Sequence, residues 1–272
     1  MNKLIPLPGL VHLRFKGPDA ERYLNGQVTQ QIEGLNKGQS RYTFVCDAKG
    51  RILFDATIYA DSEGFLLTVE GLEKEAVFAR MDRYLIADDC ELTDESEKWT
   101  LVHELNEVIE NEETVNRFGK AGRDRYFTAE QLKALKQDDF SLTTIAEQEN
   151  YRLLAQVPRL VDLTGAFPAE TGWEDQAVSF HKGCYLGQEV VSRIKRAGKT
   201  NRQLVPLSLP QRELNCPIFF TPKTSDKPLL EVTSVASQSE NGAYPSLGYL
   251  SSRYVSGTEL TSENGTVITL SI

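Results

Sequence analysis

The sequence predicts an α+β protein with a separate C-terminal β unit, and three observations lead to this prediction. Strand-like runs alternate with segments of helical spacing beside a β-meander, which is typical of α+β units. Beyond Gln203 the helical segments stop, and only short β-branched runs punctuated by Pro and Gly remain. The 272-residue chain is 40% hydrophobic and 25% charged, the balance of a globular protein large enough for two or three compact units.

The N-terminal part is predicted to contain a short helix followed by three strands. Residues 17–26 favour a helix in which Asp19 caps the first turn and Gly26 ends the last. Strand-like stretches with turn residues between them follow at residues 41–46, 51–60 and 65–69. This succession predicts a β-meander.

The rest of the chain alternates between helix and strand before it turns to strands alone. Helical spacing is found at residues 73–84 and 129–136, strand-like patterns at 99–105 and 123–128, and a polar stretch at 106–118. We place a domain boundary near Arg202. The runs at residues 204–207, 216–220, 229–235 and 266–270 then predict a small antiparallel β barrel or sandwich.

The charge and the N-terminal sequence exclude some classes of protein. The net charge of -9 argues against a surface built to grip phosphate backbones, so there is no strong indication of direct nucleic-acid binding. Pro6, Pro8 and Gly9 interrupt the apolar N-terminus before a signal-peptide core could form. No apolar run reaches the roughly 18 residues of a membrane span. We expect no membrane partner, and a location in the cytoplasm or, in a eukaryote, the mitochondrial matrix.

The cysteines and histidines do not predict a metal site. The four cysteines, Cys46, Cys90, Cys184 and Cys216, lie far apart without a C-x-x-C pair, so reduced thiols are expected. His181 and Cys184 have a spacing that suits two metal ligands. The other histidines, His12 and His103, lie in unrelated segments, and we assign no metal ligand.

The most informative segment is residues 181–202, where six basic residues stand against one acid, Glu189, in a chain of net charge -9. An anionic partner explains this concentration of positive charge, and a solvated helix face explains it equally well. Residues 188–197 have helical spacing and are followed by Gly198, so they predict a helix with Gly187 at its entrance.

Cys184 is the best candidate for a reactive sulfur. It precedes the predicted helix N-terminus and lies two residues from Lys182, and both features favour the thiolate. The alternative is a buried cysteine that acts as a small hydrophobic residue. The following Gly198-Lys199-Thr200 resembles the end of a P-loop, but Arg193 stands where its first glycine would be, so nucleotide hydrolysis is disfavoured.

Residues 182–189 read Lys-Gly-Cys-Tyr-Leu-Gly-Gln-Glu and match the K-G-C-Y-x-G-Q-E signature of the YgfZ family, relatives of the T-protein (aminomethyltransferase, GcvT) of glycine cleavage. The resemblance extends to residues 158–164, 167–173, 17–20, 24–30 and 46–50. It covers most of residues 8–202, whereas the C-terminal unit resembles the family only in its general β texture.

This resemblance implies a three-part, cloverleaf-like architecture around a central opening. Two interleaved α+β units of ferredoxin-like type would precede the C-terminal antiparallel β barrel. The implied domains are a discontinuous folate-binding domain of residues 1–46 and 145–202, a ferredoxin-like domain of residues 47–144, and a small barrel of residues 203–272.

The resemblance also implies binding of tetrahydrofolate or a related folate. Its further implication is support for the assembly or repair of iron-sulfur clusters in client enzymes, some of which modify tRNA, so the implied partners are these enzymes or cluster assembly proteins. A folate site needs an aromatic wall, a bidentate polar partner and a cation. In the matched segment the candidates are Tyr185 for the wall, Gln188 or Glu189 for the polar partner, and Lys182 or Arg193 for the cation, with Cys184 facing the folate.

Asp55 is the second candidate catalytic residue. The T-protein has an acidic pair after a glycine-containing turn, and one of these acids assists chemistry at a folate nitrogen. The similar stretch here, residues 50–55, keeps Asp55 but has Phe54 in place of the other acid. Asp55 either polarises a bound folate or is only an exposed strand residue.

Two other functions remain as alternatives. One is a tetrahydrofolate-dependent aminomethyltransferase of the glycine-cleavage type, which the replacement by Phe54 disfavours. The other is a docking module that binds an acidic protein or RNA through the basic helix.

Overall fold

The computed structural model describes residues 3–105, 115–119, 121–135, 140, 144–213 and 215–271. In these ranges the strands form three antiparallel sheets, accompanied by seven α-helices and a short 3-10 turn at Pro168–Glu170. No helix within them is long and apolar enough to cross a membrane. The predicted α+β class is confirmed, and the last sheet curls into a half-barrel.

The chain begins with two strands that enter different sheets. β1 (Lys3–Leu7) joins a four-stranded sheet, and β2 (Val11–Lys16) joins a five-stranded one. The sequence prediction contained neither strand. Lys3 lies opposite Leu105 and Val11 opposite Val69, so the partners are distant in sequence and a local pattern does not reveal them.

The five-stranded sheet encloses a hydrophobic core with two helices. Its strand order is β3 (Ser40–Cys46), β4 (Ile52–Asp61), β5 (Gly64–Val69), β2 and β6 (Glu91–Asp94), and α1 (Ala20–Gln27) and α2 (Lys74–Asp82) pack against it. Side chains alternate along β4 because successive residues of a strand point to opposite faces. Phe54, Ala56 and Ile58 therefore enter the core, whereas Asp55 and Thr57 face a cavity. The predicted helices and meander are confirmed to within a few residues.

The four-stranded sheet lies across that cavity. Its strand order is β1, β7 (Thr100–Leu105), β9 (Ala121–Phe127) and β8 (Val115–Asn116), and α3 (Ala129–Lys133) follows it. The strands predicted at 99–105 and 123–128 and the helix at 129–136 correspond to β7, β9 and α3. Of the polar stretch 106–118, residues 106–114 lie outside the described residues.

Four helices lead to the half-barrel. They are α4 (Ile145–Leu154), α5 (Leu160–Leu163), α6 (Glu174–Ala177) and α7 (Gln188–Ala197). The bounds of α7 are those predicted from the sequence. Gly187 and Gly198 flank it with φ values of 88° and 62°, left-handed conformations that glycine adopts without strain.

The half-barrel contains the six strands after α7. They are β10 (Arg202–Leu209), β11 (Ile218–Pro222), β12 (Leu230–Val235), β13 (Tyr244–Ser251), β14 (Glu259–Ser262) and β15 (Val267–Thr269), in the spatial order β10, β13, β12, β11, β14, β15. Their inward side chains form a separate core around Phe220, Val232 and Leu260.

One predicted domain limit coincides with the edge of a sheet, and another falls inside a sheet. The limit near residue 202 falls at the start of β10, the first strand of the half-barrel. The limit between residues 46 and 47 falls between β3 and β4, where a tight turn returns the chain so that Cys46 lies opposite Ile52. The five-stranded sheet therefore contains residues from both sides of that limit.

Candidate functional site: a cavity between two sheets

A cavity of about 580 Å³ lies between the five-stranded and four-stranded sheets. This volume is within the range of roughly 300–1,000 Å³ typical of small-molecule sites. Its wall is formed by Leu7, Gln30, Ser40, Arg41, Tyr42, Asp55, Thr57, Glu70, Val115, Asn116, Arg117, Phe118, Val157, Pro158, Arg159, Trp173 and Gln176. These residues come from distant parts of the sequence, so the cavity exists only in the folded chain.

Asp55 is a carboxyl group of this wall whose pKa is raised. The Tyr42 hydroxyl donates a hydrogen bond to Asp55 Oδ2 over 3.1 Å. Burial, helped by the nearby Glu70 charge, raises the pKa of Asp55 to about 6. A carboxyl group with such a pKa exchanges a proton near neutral pH, which suits a role in proton transfer or in polarising a ligand.

Two aromatic side chains form one side of the cavity. The rings of Tyr42 and Trp173 meet edge to face with centroids 5.7 Å apart, and Phe44 meets Tyr42 in the same manner at 5.8 Å. Such rings offer a flat, weakly polar surface to a planar ligand. Because Tyr42 also binds Asp55, the aromatic surface and the carboxyl group are adjacent.

Arg117 brings a buried charge network to the cavity wall. Its Nε and Nη2 donate to both oxygens of Asp124 at 2.6–3.0 Å, and Asp124 Oδ1 also lies 2.8 Å from His103 Nδ1. Burial alone would raise the pKa of Asp124, but the Arg117 charge and these hydrogen bonds hold it well below its ordinary value. Asp124 therefore stays ionised and fixes the Arg117 guanidinium.

Arg159 supplies a second guanidinium at the wall. Its Nη1 lies 2.5 Å from Glu149 Oε1 and 3.4 Å from Glu70 Oε1. Arg159 and Glu70 both line the cavity. The wall thus combines carboxyl, aromatic and guanidinium groups.

Of the predicted site residues, Asp55 lines this cavity and the residues of the 182–189 motif do not. Lys182 Nζ donates to the backbone oxygens of Asn25, Val28 and Gln30 at 2.6–2.8 Å. These bonds hold the motif loop against the end of α1. Burial lowers the pKa of Lys182 to about 7, while the three acceptors favour its ammonium form.

The other motif residues have different exposures. Cys184, Glu189 and Arg193 are exposed, so the Cys184 thiol is accessible. Tyr185 is buried at 7% exposure, and its hydroxyl has no hydrogen-bond partner among the described residues. Gln188 is half-buried and lies 3.5 Å from the Gly183 oxygen. The ammonium of Lys182 lies 5.2 Å from the Tyr185 ring centroid.

Two segments that carried the family resemblance pack against each other. A Cβ added to Gly187 would lie 2.4 Å from the Asp47 oxygen, and one added to Gly50 would lie 3.1 Å from Val190 Cβ. Both glycines also have positive φ. Glycine is therefore required at both positions for the turn at residues 47–50 to meet the start of α7.

Most of the cavity wall was not predicted from the sequence. Tyr42 lies on a predicted strand, and Trp173 lies in a segment of family resemblance, so these two aromatic residues of the wall carried a usable signal. Arg159 lies in the segment of family resemblance 158–164 but was not predicted as a site residue, and Arg117 carried no signal. The positions of both depend on contacts with Asp124 and Glu149 that only folding creates.

Comparison with known protein families gives a match for the N-terminal part of the chain. Residues 4–103 match the GCVT N-terminal domain. An aminomethyltransferase of Rubrobacter xylanophilus is 38% identical over 88 residues, which are 32% of this chain and 24% of that protein.

Two further relatives match more of the chain at lower identity. A protein of Pyricularia oryzae named iron-sulfur cluster assembly factor IBA57 homolog, mitochondrial, is 28% identical over 211 residues, 71% of this chain and 54% of that protein. The tRNA-modifying protein YgfZ of Cronobacter sakazakii is 26% identical over 230 residues, 74% of this chain and 69% of that protein. The match thus spans about a quarter of the length of the Rubrobacter protein and about half of the length of the Pyricularia protein.

The same fold is present in a solved structure. The glycine cleavage system aminomethyltransferase T from Bartonella henselae superposes with a TM-score of 0.82 over 100% of this chain and 84% of that one, at 18% identity. The predicted GcvT-like architecture is therefore confirmed as a fold.

Proposed function

We propose that this chain, which carries a GCVT N-terminal domain and is distantly homologous to YgfZ and IBA57 proteins, binds a folate and supports the assembly or repair of iron-sulfur clusters in client enzymes, including enzymes that modify tRNA. It would act in the cytoplasm or the mitochondrial matrix. The observation that carries the proposal is the cavity of about 580 Å³ in which Asp55 lies beside Tyr42 and Trp173.

The groups on the cavity wall fit a folate. A pterin is planar and rich in hydrogen-bond donors and acceptors, which suits an aromatic surface next to a carboxyl group. The glutamate end of a folate is anionic, which suits a guanidinium such as that of Arg159. A bound tetrahydrofolate would supply one-carbon or redox chemistry. Asp55, with a pKa of about 6, would accept or hold a proton at the pterin.

Cys184 is proposed to act at the surface and not within the cavity. Its thiol is exposed on the loop that Lys182 attaches to α1, and Gln30, whose backbone oxygen accepts from Lys182, lines the cavity. An exposed thiol can reach a client protein or its cluster, which are substrates of the proposed activity. Gln30 is therefore the residue that connects the motif loop to the cavity.

Folate binding is tested by calorimetric titration and thermal melting with 5-formyltetrahydrofolate. A ligand at 100 times its Kd stabilises the native state by about 2.7 kcal/mol, so the wild type should melt at higher temperature. Asp55→Ala should weaken folate binding by about 10- to 100-fold, since it removes the charged carboxylate that hydrogen-bonds to the pterin. Asp226→Ala, at an exposed site in the half-barrel, is the matched control. A wild-type protein whose melting temperature does not respond to folate would refute the proposal.

The cluster-related role is tested by complementation. In cells that lack the gene, the wild-type gene should restore the specific activity of an iron-sulfur enzyme, and Cys184→Ser should not. Cys216→Ser is the matched control because this thiol is also exposed but lies in the half-barrel. Full activity with Cys184→Ser would remove that thiol from the mechanism.

An aminomethyltransferase is the second candidate, favoured by the 88-residue match to a protein of that name and by Asp55 on the cavity wall. Phe54 disfavours it, because the side chain that replaces the second acid is buried in the core at 3% exposure. The two functions differ in one product. Only an aminomethyltransferase releases ammonia from an aminomethylated lipoyl carrier and tetrahydrofolate, and we expect no release.

A further inference from the structure

A continuous series of polar contacts runs from the half-barrel to the cavity. In β12, the hydroxyls of Thr233 and Ser234 each donate to Asp162 Oδ1 over 2.5 Å. The other oxygen of Asp162 accepts from Arg152 Nη1 over 2.8 Å and from the backbone N–H of Arg159 over 3.0 Å. The half-barrel therefore fixes a carboxylate that in turn fixes the backbone at a cavity residue.

The series continues through side chains to the cavity wall. Arg152 donates from Nε and Nη2 to Glu149 Oε2 at 2.9 and 2.7 Å. Glu149 Oε1 accepts from Arg159 Nη1 over 2.5 Å, and the same nitrogen lies 3.4 Å from Glu70 on the wall. Both the backbone and the guanidinium of Arg159 are thus tied to Asp162.

Burial makes the inner part of this series rigid. The Arg152 and Asp162 side chains are 1% and 0% exposed, and charged groups in such surroundings keep close to their hydrogen-bond partners. The Glu70 contact is longer, and that side chain is 34% exposed. The end at the cavity is therefore the part that a ligand can rearrange.

Arg159 also retains donors. A guanidinium has five N–H groups, and in the described part of the chain the side-chain contacts of Arg159 involve Nη1 alone. Arg117, which also lines the cavity, already uses Nε and Nη2 on the carboxylate of Asp124. Of these two arginines, Arg159 is the one whose Nε and Nη2 can form the paired contact that carboxylates favour.

We infer that Arg159 binds a carboxylate of the cavity ligand, and that Thr233 and Ser234 of the half-barrel are positioning residues that hold Arg159 for this contact. For a folate, the carboxylate is in the glutamate tail, and to this extent the inference rests on the proposed function. The half-barrel then contributes to ligand specificity although none of its described residues lines the cavity.

The specificity is tested with two probes, 5-formyltetrahydrofolate, which has a glutamate tail, and 6-methyltetrahydropterin, which has none. Arg159→Lys, Thr233→Val and Ser234→Ala should weaken calorimetric binding of the first probe by about three- to tenfold and leave that of the second unchanged. The matched control is Thr221→Val, which removes a hydroxyl from β11 outside the series. Equal losses for both probes, or no loss for the tailed probe, would overturn the inference.

Positioning is also measured without a ligand. Phenylglyoxal modifies arginine side chains, and mass spectrometry of peptides gives the rate at Arg159 relative to exposed Arg253 in the same sample. Thr233→Val and Ser234→Ala should raise this ratio severalfold, and Thr221→Val should not. An unchanged ratio would refute the positioning role. If the wild type binds neither probe, the proposed function and the carboxylate contact both fail, while this ratio still decides whether the half-barrel positions Arg159.

Discussion

At the scale of single residues, the acidity of Asp55 links the fold to its proposed chemistry. The residue lies on the face of β4 opposite the core, where burial and the Glu70 charge raise its pKa to about 6. In the unfolded chain its pKa is about 4. Between these values the folded protein binds a proton that the unfolded chain releases. The free energy of unfolding therefore falls as the pH rises through this window.

Replacement of Asp55 with asparagine should reverse this effect, because the amide resembles the protonated acid and is never charged. We expect Asp55→Asn to raise the free energy of unfolding at pH 7.5 by about 1–2 kcal/mol and to have little effect at pH 4. Urea unfolding of the wild type and of Asp55→Asn at pH 7.5 and pH 4 measures this change in the free energy of unfolding. Asp226→Asn, at an exposed site, should change stability by less than about 0.5 kcal/mol at either pH. A gain that is the same at both pH values would contradict the raised pKa.

At the scale of elements, the motif loop completes a helix that is too short to be stable alone. α1 has eight residues, and isolated helices of fewer than roughly 12 are marginal in water. The Lys182 ammonium donates to Asn25, within the last turn of α1, and to Val28 and Gln30 just beyond it. Positive charge at this end also complements the helix dipole. The three N–H groups of Lys182 are thereby all in use, and ligand binding by this residue stays a prediction.

Loss of this ammonium should destabilise the protein. Lys182→Met leaves three carbonyl groups without their donor, and we expect the free energy of unfolding to fall by about 2–3 kcal/mol. Arg193→Met is the matched control, because Arg193 is exposed and has no ion pair among the described residues, and its effect should stay below about 0.5 kcal/mol. Chemical denaturation measures both variants. Equal stability of Lys182→Met and the wild type, together with weaker folate binding, would instead favour a direct contact between Lys182 and the ligand.

Some elements could be predicted from the sequence and others could not. The bounds of α7 followed from helical spacing between two glycines, and those of β3, β4 and β5 from alternation between turns, because these are local patterns. The separation of β1 and β2 into different sheets did not follow, since their partners are distant in sequence. The cavity wall was missed for the same reason. Asp55 was found through a family resemblance, whereas Arg117 depends on pairing with Asp124.

At the scale of the whole molecule, Asp162 joins the half-barrel to the remainder of the fold. Besides its side-chain contacts with β12 and Arg152, its backbone oxygen accepts a hydrogen bond from the Tyr249 hydroxyl of β13 over 2.7 Å. Two strands of the half-barrel therefore meet at one residue of α5. Since these groups are buried, their contacts are mutually dependent, and we expect the half-barrel to unfold together with the sheets that form the cavity.

Removal of the Asp162 carboxylate should weaken both parts of the molecule. Asp162→Ala takes from the buried Arg152 the fully buried one of its two carboxylate partners and leaves it only the partly exposed Glu149, which costs about 3–5 kcal/mol of unfolding free energy. Adding Arg152→Met removes that charge, so the double variant should be more stable than Asp162→Ala alone. Urea unfolding followed by the fluorescence of Trp99 and Trp173 reports on the sheets outside the half-barrel, and hydrogen exchange in β12 reports on the half-barrel. Cooperative unfolding requires both signals to shift by the same free energy, whereas a change confined to β12 would show that the half-barrel folds independently of the cavity.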